Sequence, residues 1–405
     1  DSNTAVGHTA LDANTTGSSN VAMGTNALGA NTTGANNTAV GKFAMKSNTT
    51  GTANIAIGLD ALCTNTDTNE NVAIGNYALK SNDNTNTVGI GFKALCANTT
   101  GSNNTAVGTN SLDGNTTASN NTAFGKSSLG SNTTGANNTA MGSGALFQNT
   151  TAAENTAVGY NALTVNTTGA TNTAVGANVL DANTTGCQNV AVGTNALGVN
   201  TTGCSHVAIG HLALDANTTG TFNTAVGKAA GTAITTGFKN TGVGRDSMPL
   251  LTTGCFNTAI GESSGGVTTT GSCNLAVGRD SEHSANNTTR EIVIGIGEVG
   301  KGSETAFLDG SSGVFNKANT TTWNQTSDRR IKKNIVDNNI GLEKITQIQV
   351  RDFEYRTKVE VTDFENVESA YVDQSGVQIG VIAQEIETIF PEMVTTQSTG
   401  VKTFN

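Results

Sequence analysis

The stretch that decides the fold is "NTAVGKFAMKSNTTGTA" at residues 37–53, because close copies of it fill most of the chain. Pentapeptides equivalent to its first five residues recur eighteen times, at intervals of 17 residues with one interval of 16. So regular a register predicts a repeat architecture in which each unit stacks on its neighbours. The pentapeptides end at Gly7, Gly24, Gly41, Gly58, Gly75, Gly91, Gly108, Gly125, Gly142, Gly159, Gly176, Gly193, Gly210, Gly227, Gly244, Gly261, Gly278 and Gly295.

Each unit contains two short apolar pairs, such as Ala39-Val40 and Ala44-Met45, with Gly41 between them and turn residues at 48–51. The pairs are too short for helices, and Gly and Asn tolerate the left-handed conformations of tight turns. We therefore expect one coil per unit, with two short strands in each coil. Stacked at the usual strand spacing, eighteen such coils would form a rod roughly 80 Å long.

Both residues of each apolar pair are hydrophobic, although neighbouring residues of a strand face opposite sides. Fixing 17 residues costs on the order of 17–34 kcal/mol of backbone entropy. One buried Val or Leu contributes about 1.5–3 kcal/mol. A lone coil is therefore unstable, and we expect stacking and association of three chains around an axis to supply the difference. The pattern thus predicts an all-β fold, a trimeric parallel β-roll or β-helix of 17-residue coils.

The composition excludes several functional classes. The net charge is −10, and the only basic cluster lies at residues 329–333, which argues against nucleic acid as a partner. No apolar run approaches the roughly 20 residues that span a bilayer, so no membrane insertion is expected. Nothing in the spacing of the residues predicts a cofactor.

Two recurring features of the repeat, the Asn-Thr-Thr triplets and a shared histidine position, each have two interpretations. Asn-Thr-Thr triplets, as at Asn14, Asn31, Asn48 and Asn98, are formal glycosylation sequons, or they form a ladder that satisfies the backbone groups of the turns. His8 and His211 share a position in units twelve coils apart. Three copies around an axis could make a metal site of either histidine, but a solvated turn residue is the expectation, and no metal is predicted.

The cysteines follow the repeat and not a metal motif. Cys187 and Cys204 hold the same position in neighbouring units, where they are a disulfide or two small stacked side chains. Late units also place aromatic residues in the linking turn, namely Phe222, Phe238 and Phe256. These rings are either a patch that binds sugar or protein, or extra packing.

The repeat resembles the β-roll heads of trimeric autotransporter adhesins, whose "NSVAIG"-like units match "NIAIG" at 54–58 and "NVAIG" at 71–75. It is also similar to repeat shafts of phage and large-virus fibres. The resemblance covers residues 1–295. It implies a trimeric shaft.

The composition changes after residue 295. Residues 296–326 are predicted to be a neck of short interchain strands. Residues 327–405 contain 22 charged side chains among 79, whereas residues 1–326 contain 30 among 326. The last segment is therefore expected to be a small globular α+β domain on a sparsely charged rod.

This last segment resembles the intramolecular chaperone domain of endosialidases. The resemblance rests on "SDRRIKKNI" at 327–335, "GLEKI" at 341–345, "FEYR" at 353–356, "GVIAQEIE" at 380–387 and "PEMV" at 391–394. Members of that family trimerise phage tail spikes and fibres and then cut themselves off. Such domains usually continue into a long trimerising helix, so a chain that stops at Asn405 predicts a shortened copy.

The resemblance implies a serine–lysine dyad of Ser327 and Lys332, with cleavage between Thr326 and Ser327. A serine hydroxyl needs a base, and a lysine acts as one when nearby cations or desolvation lower its pKa. Arg329 and Arg330 are such cations. In the alternative interpretation, Ser327 caps a helix and Lys332 is a solvated charge.

These features predict a virion fibre or spike that attaches to a host cell surface, with no external substrate. Its expected partners are two further copies of the chain, a host receptor, and virion tail or baseplate proteins through an N-terminal anchor preceding Asp1. Phe307, Phe315 and Trp323 are the candidate receptor contacts, or else a buried interchain core. A cellular trimeric adhesin head is the alternative. A polysaccharide-cleaving spike is disfavoured, because the coils lack an evident carboxylate pair.

Overall fold

The structure is a computed structural model, and it describes residues 2–308, 314–317, 341–357, 359–360, 375–396 and 402–404. The chain divides into two compact units, residues 1–325 and residues 326–405. The first unit is a parallel β-solenoid, and the second is a small α+β unit. The predicted all-β repeat fold is therefore confirmed.

Eighteen three-residue strands stack in parallel through the first unit, one for each repeat. Equivalent residues pair 17 positions apart, as Ala39 pairs with Ala56, and the one short coil pairs Ala73 with Gly89. A nineteenth strand continues the parallel stack, and a twentieth pairs with it antiparallel. The strands are β1 (Thr4–Val6), β2 (Val21–Met23), β3 (Thr38–Val40), β4 (Ile55–Ile57), β5 (Val72–Ile74), β6 (Val88–Ile90), β7 (Thr105–Val107), β8 (Thr122–Phe124), β9 (Thr139–Met141), β10 (Thr156–Val158), β11 (Thr173–Val175), β12 (Val190–Val192), β13 (Val207–Ile209), β14 (Thr224–Val226), β15 (Thr241–Val243), β16 (Thr258–Ile260), β17 (Leu275–Val277), β18 (Ile292–Ile294), β19 (Thr305–Leu308) and β20 (Val314–Lys317).

The prediction of two strands per coil is wrong, because the second apolar pair lies in a left-handed turn. In the coil that starts at Asn37, Phe43 and Met45 have φ of 61° and 49°. Ala44 and Met45 are both fully buried in the interior of the single chain, whereas neighbouring residues of a strand would point one inward and one outward. Left-handed backbone is unfavourable for a bulky residue. Burial of the long side chain, worth about 1.5–3 kcal/mol, offsets that cost.

The core of the solenoid consists of three apolar columns. The middle residue of each strand, such as Ala39, points inward, and the Ala-Leu pair of the turn, such as Ala61 and Leu62, fills the rest of the interior. Small alanines on the strand leave room for the leucines of the facing turn. The columns continue through neighbouring coils, with serine or glycine at a few positions such as Ser111 and Gly231, so stacking provides the burial that a single coil lacks.

Two ladders of buried asparagines satisfy the interior polar groups. In the ladder of the Asn-Thr-Thr triplets, Asn132 Nδ2 donates to Asn115 Oδ1 at 2.9 Å and to the Gly135 carbonyl at 3.0 Å. In the ladder that precedes the strands, the backbone N–H of Asn138 donates to Asn121 Oδ1 at 2.9 Å. The ladder interpretation of the Asn-Thr-Thr triplets is therefore confirmed.

Replacement of Asn132 by alanine is expected to destabilise the solenoid. The change leaves Asn115 Oδ1 without its donor, removes one of the two donors to the Gly135 carbonyl, and removes one of the two acceptors of Asn149 Nδ2. Each unpaired buried group costs about 1–3 kcal/mol. Denaturant unfolding would measure the loss, with Ser131→Ala as control, since alanine occupies that position in other coils. Equal stability of the two variants would contradict the ladder's role.

Late coils exchange the asparagine of the ladder for an apolar side chain. In the coil that starts at Asn223, glycine replaces the buried leucine at Gly231, and Ile234 replaces the ladder asparagine. Ile234 is 1% exposed, and its Cδ1 lies 3.0 Å from where a Cβ on Gly231 would stand. The apolar volume thus moves from one side of the interior to the other, and the core stays filled.

The second unit contains short elements in chain order. Strand β21 pairs antiparallel with β22, and β23 pairs antiparallel with β24. Ile386 of the longer helix is 1% exposed. The elements are α1 (Gly341–Ile345), β21 (Arg351–Phe353), β22 (Gln378–Gly380), α2 (Ala383–Ile389), a 3-10 turn (Pro391–Met393), β23 (Val394–Thr396) and β24 (Lys402–Phe404).

Candidate functional site

The outward face of the solenoid sheet is uncharged and carries an apolar column from one end to the other. The third residue of every strand from β1 to β18 is Val, Met, Ile or Phe, and it points away from the interior. Many of these side chains are substantially exposed, for example Met23 at 44%, Phe124 at 40% and Ile260 at 44%. The first residue of each of these strands is Thr, Val, Ile or Leu, so no charged side chain interrupts the face.

The size of this sheet face is that of a protein interface. Eighteen strands at about 4.8 Å spacing, each three residues long, make a face of roughly 80 by 10 Å, or about 800 Å². Apolar patches on monomers rarely exceed about 300–600 Å². A stable interface buries about 800 Å² on each partner, and charged residues are depleted from its core. The sheet face therefore has the area and chemistry of a surface that another chain covers.

The sequence predicts an apolar outer surface but not which residue of each strand forms it. The consensus predicts that both strand faces are covered, and the structure assigns the inner one to alanine and the outer one to the larger residue. Lysines and acidic residues lie instead in the turns, as Lys42 and Asp60 do. The signal is the absence of charged residues from the first and third strand positions of every repeat.

Three of the motifs behind the chaperone resemblance coincide with described elements of the second unit. "GLEKI" forms α1, "GVIAQEIE" covers the end of β22 and most of α2, and "PEMV" forms the 3-10 turn and the start of β23. Arg351 holds Glu385 through two hydrogen bonds, with Nε–Oε2 at 3.2 Å and Nη2–Oε1 at 2.9 Å. This carboxylate raises the pKa of Arg351. The pair joins β21 to α2 across the small unit.

The predicted processing residues lie outside the part of the chain that the structure describes. These residues are Thr326, Ser327 and Lys332. Trp323, one of the candidate receptor contacts, also lies outside the described residues. Their roles stay predictions. The described residues nearest in sequence that carry the resemblance are those of α1, which starts nine residues after Lys332.

The other candidate contacts have different environments. Phe307 of β19 is 6% exposed, with Lys301 Nζ 4.7 Å from its ring centroid, and its backbone pairs with that of Phe315 in β20. Burial of Phe307 favours the packing alternative for that residue. The turn aromatics are exposed, with Phe222 at 56% and Phe256 at 49%. Binding at either group stays a prediction.

The described residues contain no group of three or more His, Cys, Asp or Glu side chains arranged to hold a metal ion. His8 and His211 are exposed turn residues. The buried histidine His206, not singled out in the sequence, replaces an asparagine of the ladder before the strands. It accepts from the Asn223 N–H at Nδ1 and bonds the Gly220 carbonyl through Nε2. Burial lowers the pKa of His206.

Comparison with protein families matches residues 327–395 to the family described as chaperone of endosialidase. Comparison with curated proteins and with solved structures gives no significant match. The resemblance of the last segment is therefore confirmed. The fold and the match together define a parallel β-solenoid that carries an endosialidase-type chaperone segment at its C-terminal end, consistent with an endosialidase-type tail fibre. Over the described residues, no helix has the length and hydrophobicity needed to cross a bilayer.

Proposed function

We propose that the chain is the shaft of a trimeric virion fibre or spike that attaches to a host surface. The observation that carries this proposal is the uncharged outward sheet face, which continues through all eighteen coils. Three copies with these faces toward a common axis would remove about 800 Å² of each chain's surface from water. The match of residues 327–395 to the chaperone of endosialidase supports the same assembly.

Identical coils create a register problem that such a chaperone solves. Sliding one chain by 17 residues against its partners would bury nearly the same side chains, and repetitive strands specify register weakly. Exposed apolar faces also promote aggregation while the chains assemble. A C-terminal segment that trimerises first would align the three chains at one end, and the coils would then associate toward the N-terminus.

We further propose that the segment then leaves by cleavage between Thr326 and Ser327. Ser327 Oγ would attack the carbonyl carbon of Thr326, with Lys332 as the base that accepts the hydroxyl proton. The C–N bond between Thr326 and Ser327 would break as the Ser327 nitrogen takes up that proton, and water would then hydrolyse the ester. Loss of the aligning segment makes assembly kinetically irreversible, because the mature chain lacks the part that set its register. Nothing outside the chain is consumed except the water that completes hydrolysis.

Substitution of the dyad tests the processing step. On a denaturing gel the parent is expected to give two fragments, and Ser327→Ala and Lys332→Ala are each expected to give one uncut band. Lys333→Ala and Ser375→Ala are the matched controls, since they change the same residue types in the same segment and should still be cut. Normal cleavage of Ser327→Ala would overturn the assignment of the nucleophile.

A further inference from the structure

Two thiols meet on the surface of the solenoid. Cys187 and Cys204 occupy the same turn position in adjacent coils, and their Sγ atoms lie 2.8 Å apart. At this position, the side chain in one coil accepts a hydrogen bond from the backbone N–H of the equivalent residue in the preceding coil. Ser119 Oγ does so for Ser102, and Cys204 Sγ does so for Cys187 at 3.0 Å.

We propose that Cys187 and Cys204 form a disulfide that joins their coils covalently. The Ser205 N–H donates to the Cys187 carbonyl at 3.0 Å, so the two turns are held at ladder spacing. Strands at this spacing are about 4.8 Å apart. That separation lies within the roughly 4.4–6.8 Å between Cα atoms that disulfides require. Closing the bond therefore needs rotation of the side chains and little movement of the backbone.

The pairing is specific to these two cysteines. Cys255 has the same turn position, but the next coil places Ser272 there, whose Oγ accepts the Cys255 N–H at 3.0 Å. Cys63 and Cys96 share a different position and are separated by the coil of Lys80. Among the described residues, the contact of 2.8 Å is thus the one at which two thiols face each other across neighbouring coils.

The chemistry balances with a small disulfide, such as oxidised glutathione, as the oxidant. The Cys204 thiolate attacks one sulfur of glutathione disulfide and expels one glutathione thiolate. The Cys187 thiolate then attacks the Cys204 sulfur and expels the second, so the protein loses two protons and two electrons to the two glutathiones. The hydrogen bond with Cys204 and burial raise the pKa of Cys187 to about 11, so oxidation is expected to speed up with rising pH.

The position of the disulfide gives it a structural role. His206 replaces an asparagine of one ladder directly after the coil of Cys204 and keeps its hydrogen bonds, whereas the other ladder ends where Ile234 replaces its asparagine. Asn200 Oδ1 and both amide atoms of Asn217 are buried there without a hydrogen-bond partner. The disulfide would hold the turn that lies beside these unpaired buried groups.

Peptide mapping tests the proposal. The purified full-length protein would be incubated at pH 8 with oxidised glutathione, alkylated under denaturing conditions without reductant, and digested with chymotrypsin. No Lys or Arg lies between Lys126 and Lys228, so trypsin would leave both cysteines in one peptide, whereas cleavage after Leu197 separates them. The expected result is a linked pair of peptides that disappears on reduction, with loss of both free thiols at these positions.

Variants supply the controls. Cys187→Ser and Cys204→Ser should each abolish the linked pair and are expected to fold, because serine occupies this position at Ser102 and Ser119. Cys255→Ser should leave the linked pair unchanged. Alkylation of both Cys187 and Cys204 after oxidation, or capture of Cys204 by glutathione without closure, would overturn the proposal.

Discussion

Gly125→Ala is expected to open the solenoid at one coil. Gly125 has φ of 129°, and a Cβ there would stand 2.6 Å from the carbonyl carbon and oxygen of Gly142 in the next coil. The backbone conformation alone costs an L-residue about 1–3 kcal/mol. The clash adds to this, because backbone atoms cannot rotate away as a side chain can. The two coils must separate, and the strand hydrogen bonds between β8 and β9 lengthen.

Hydrogen exchange would locate the damage. Each coil of a solenoid is stabilised mainly by its two neighbours, so amides of β8 and β9 should lose protection while distant coils keep theirs. Gly302→Ala is the matched control, since Gly302 has φ of 121° but no heavy atom within 4 Å of its added Cβ. It carries the backbone strain without the clash. Equal protection in both variants and the parent would show that close stacking does not require glycine at position 125.

The double substitution Phe124→Asp and Met141→Asp is expected to dissociate the proposed trimer. These side chains are 40% and 45% exposed in the single chain and stand on adjacent strands of the sheet face. Burial of an unpaired carboxylate in an interface costs several kcal/mol per ion. Three chains would bring six such carboxylates together near one axis. Light scattering should therefore give a single-chain mass, or the chains should aggregate through their remaining apolar face.

The control for this variant introduces two aspartates at exposed residues outside the sheet face. Tyr160 and Phe222 are exposed apolar residues of the turns, at 58% and 56%, and neither belongs to the sheet face. Tyr160→Asp combined with Phe222→Asp should leave the oligomer intact. If both double variants kept the mass of the parent, the sheet face would not be the interface.

The sequence predicts the repeat well and the path of the coil less well. The glycine spacing alone gives the number of coils and the register of the parallel strands within the chain, because consecutive units are joined covalently and stack with equivalent residues paired. The prediction of a strand at the second apolar pair is wrong. Nothing in Ala44-Met45 reveals that Met45 adopts φ of 49°, since leucine and methionine ordinarily avoid that region. Tertiary burial overrides the local preference there.

The candidate sites also differ in how much of each can be predicted from the sequence. A column of charge-free positions is visible in any alignment of the repeats, so the outward face could be anticipated from residues such as Ile57 and Ile74. The contact between Cys187 and Cys204 was visible as a shared repeat position, but its distance needed coordinates. The unpaired buried amides of Asn200 and Asn217 depend on which side chains find partners, which a sequence pattern does not specify.

The mass of the protein in solution tests the central claim most directly. The uncut Ser327→Ala form keeps every chain at 41.0 kDa, so its oligomeric state can be read without correction for cleavage. Sedimentation equilibrium or light scattering is expected to give three times that mass over a wide range of dilution. A stable, well-folded species of 41.0 kDa would contradict the account, because the apolar sheet face would then be facing water.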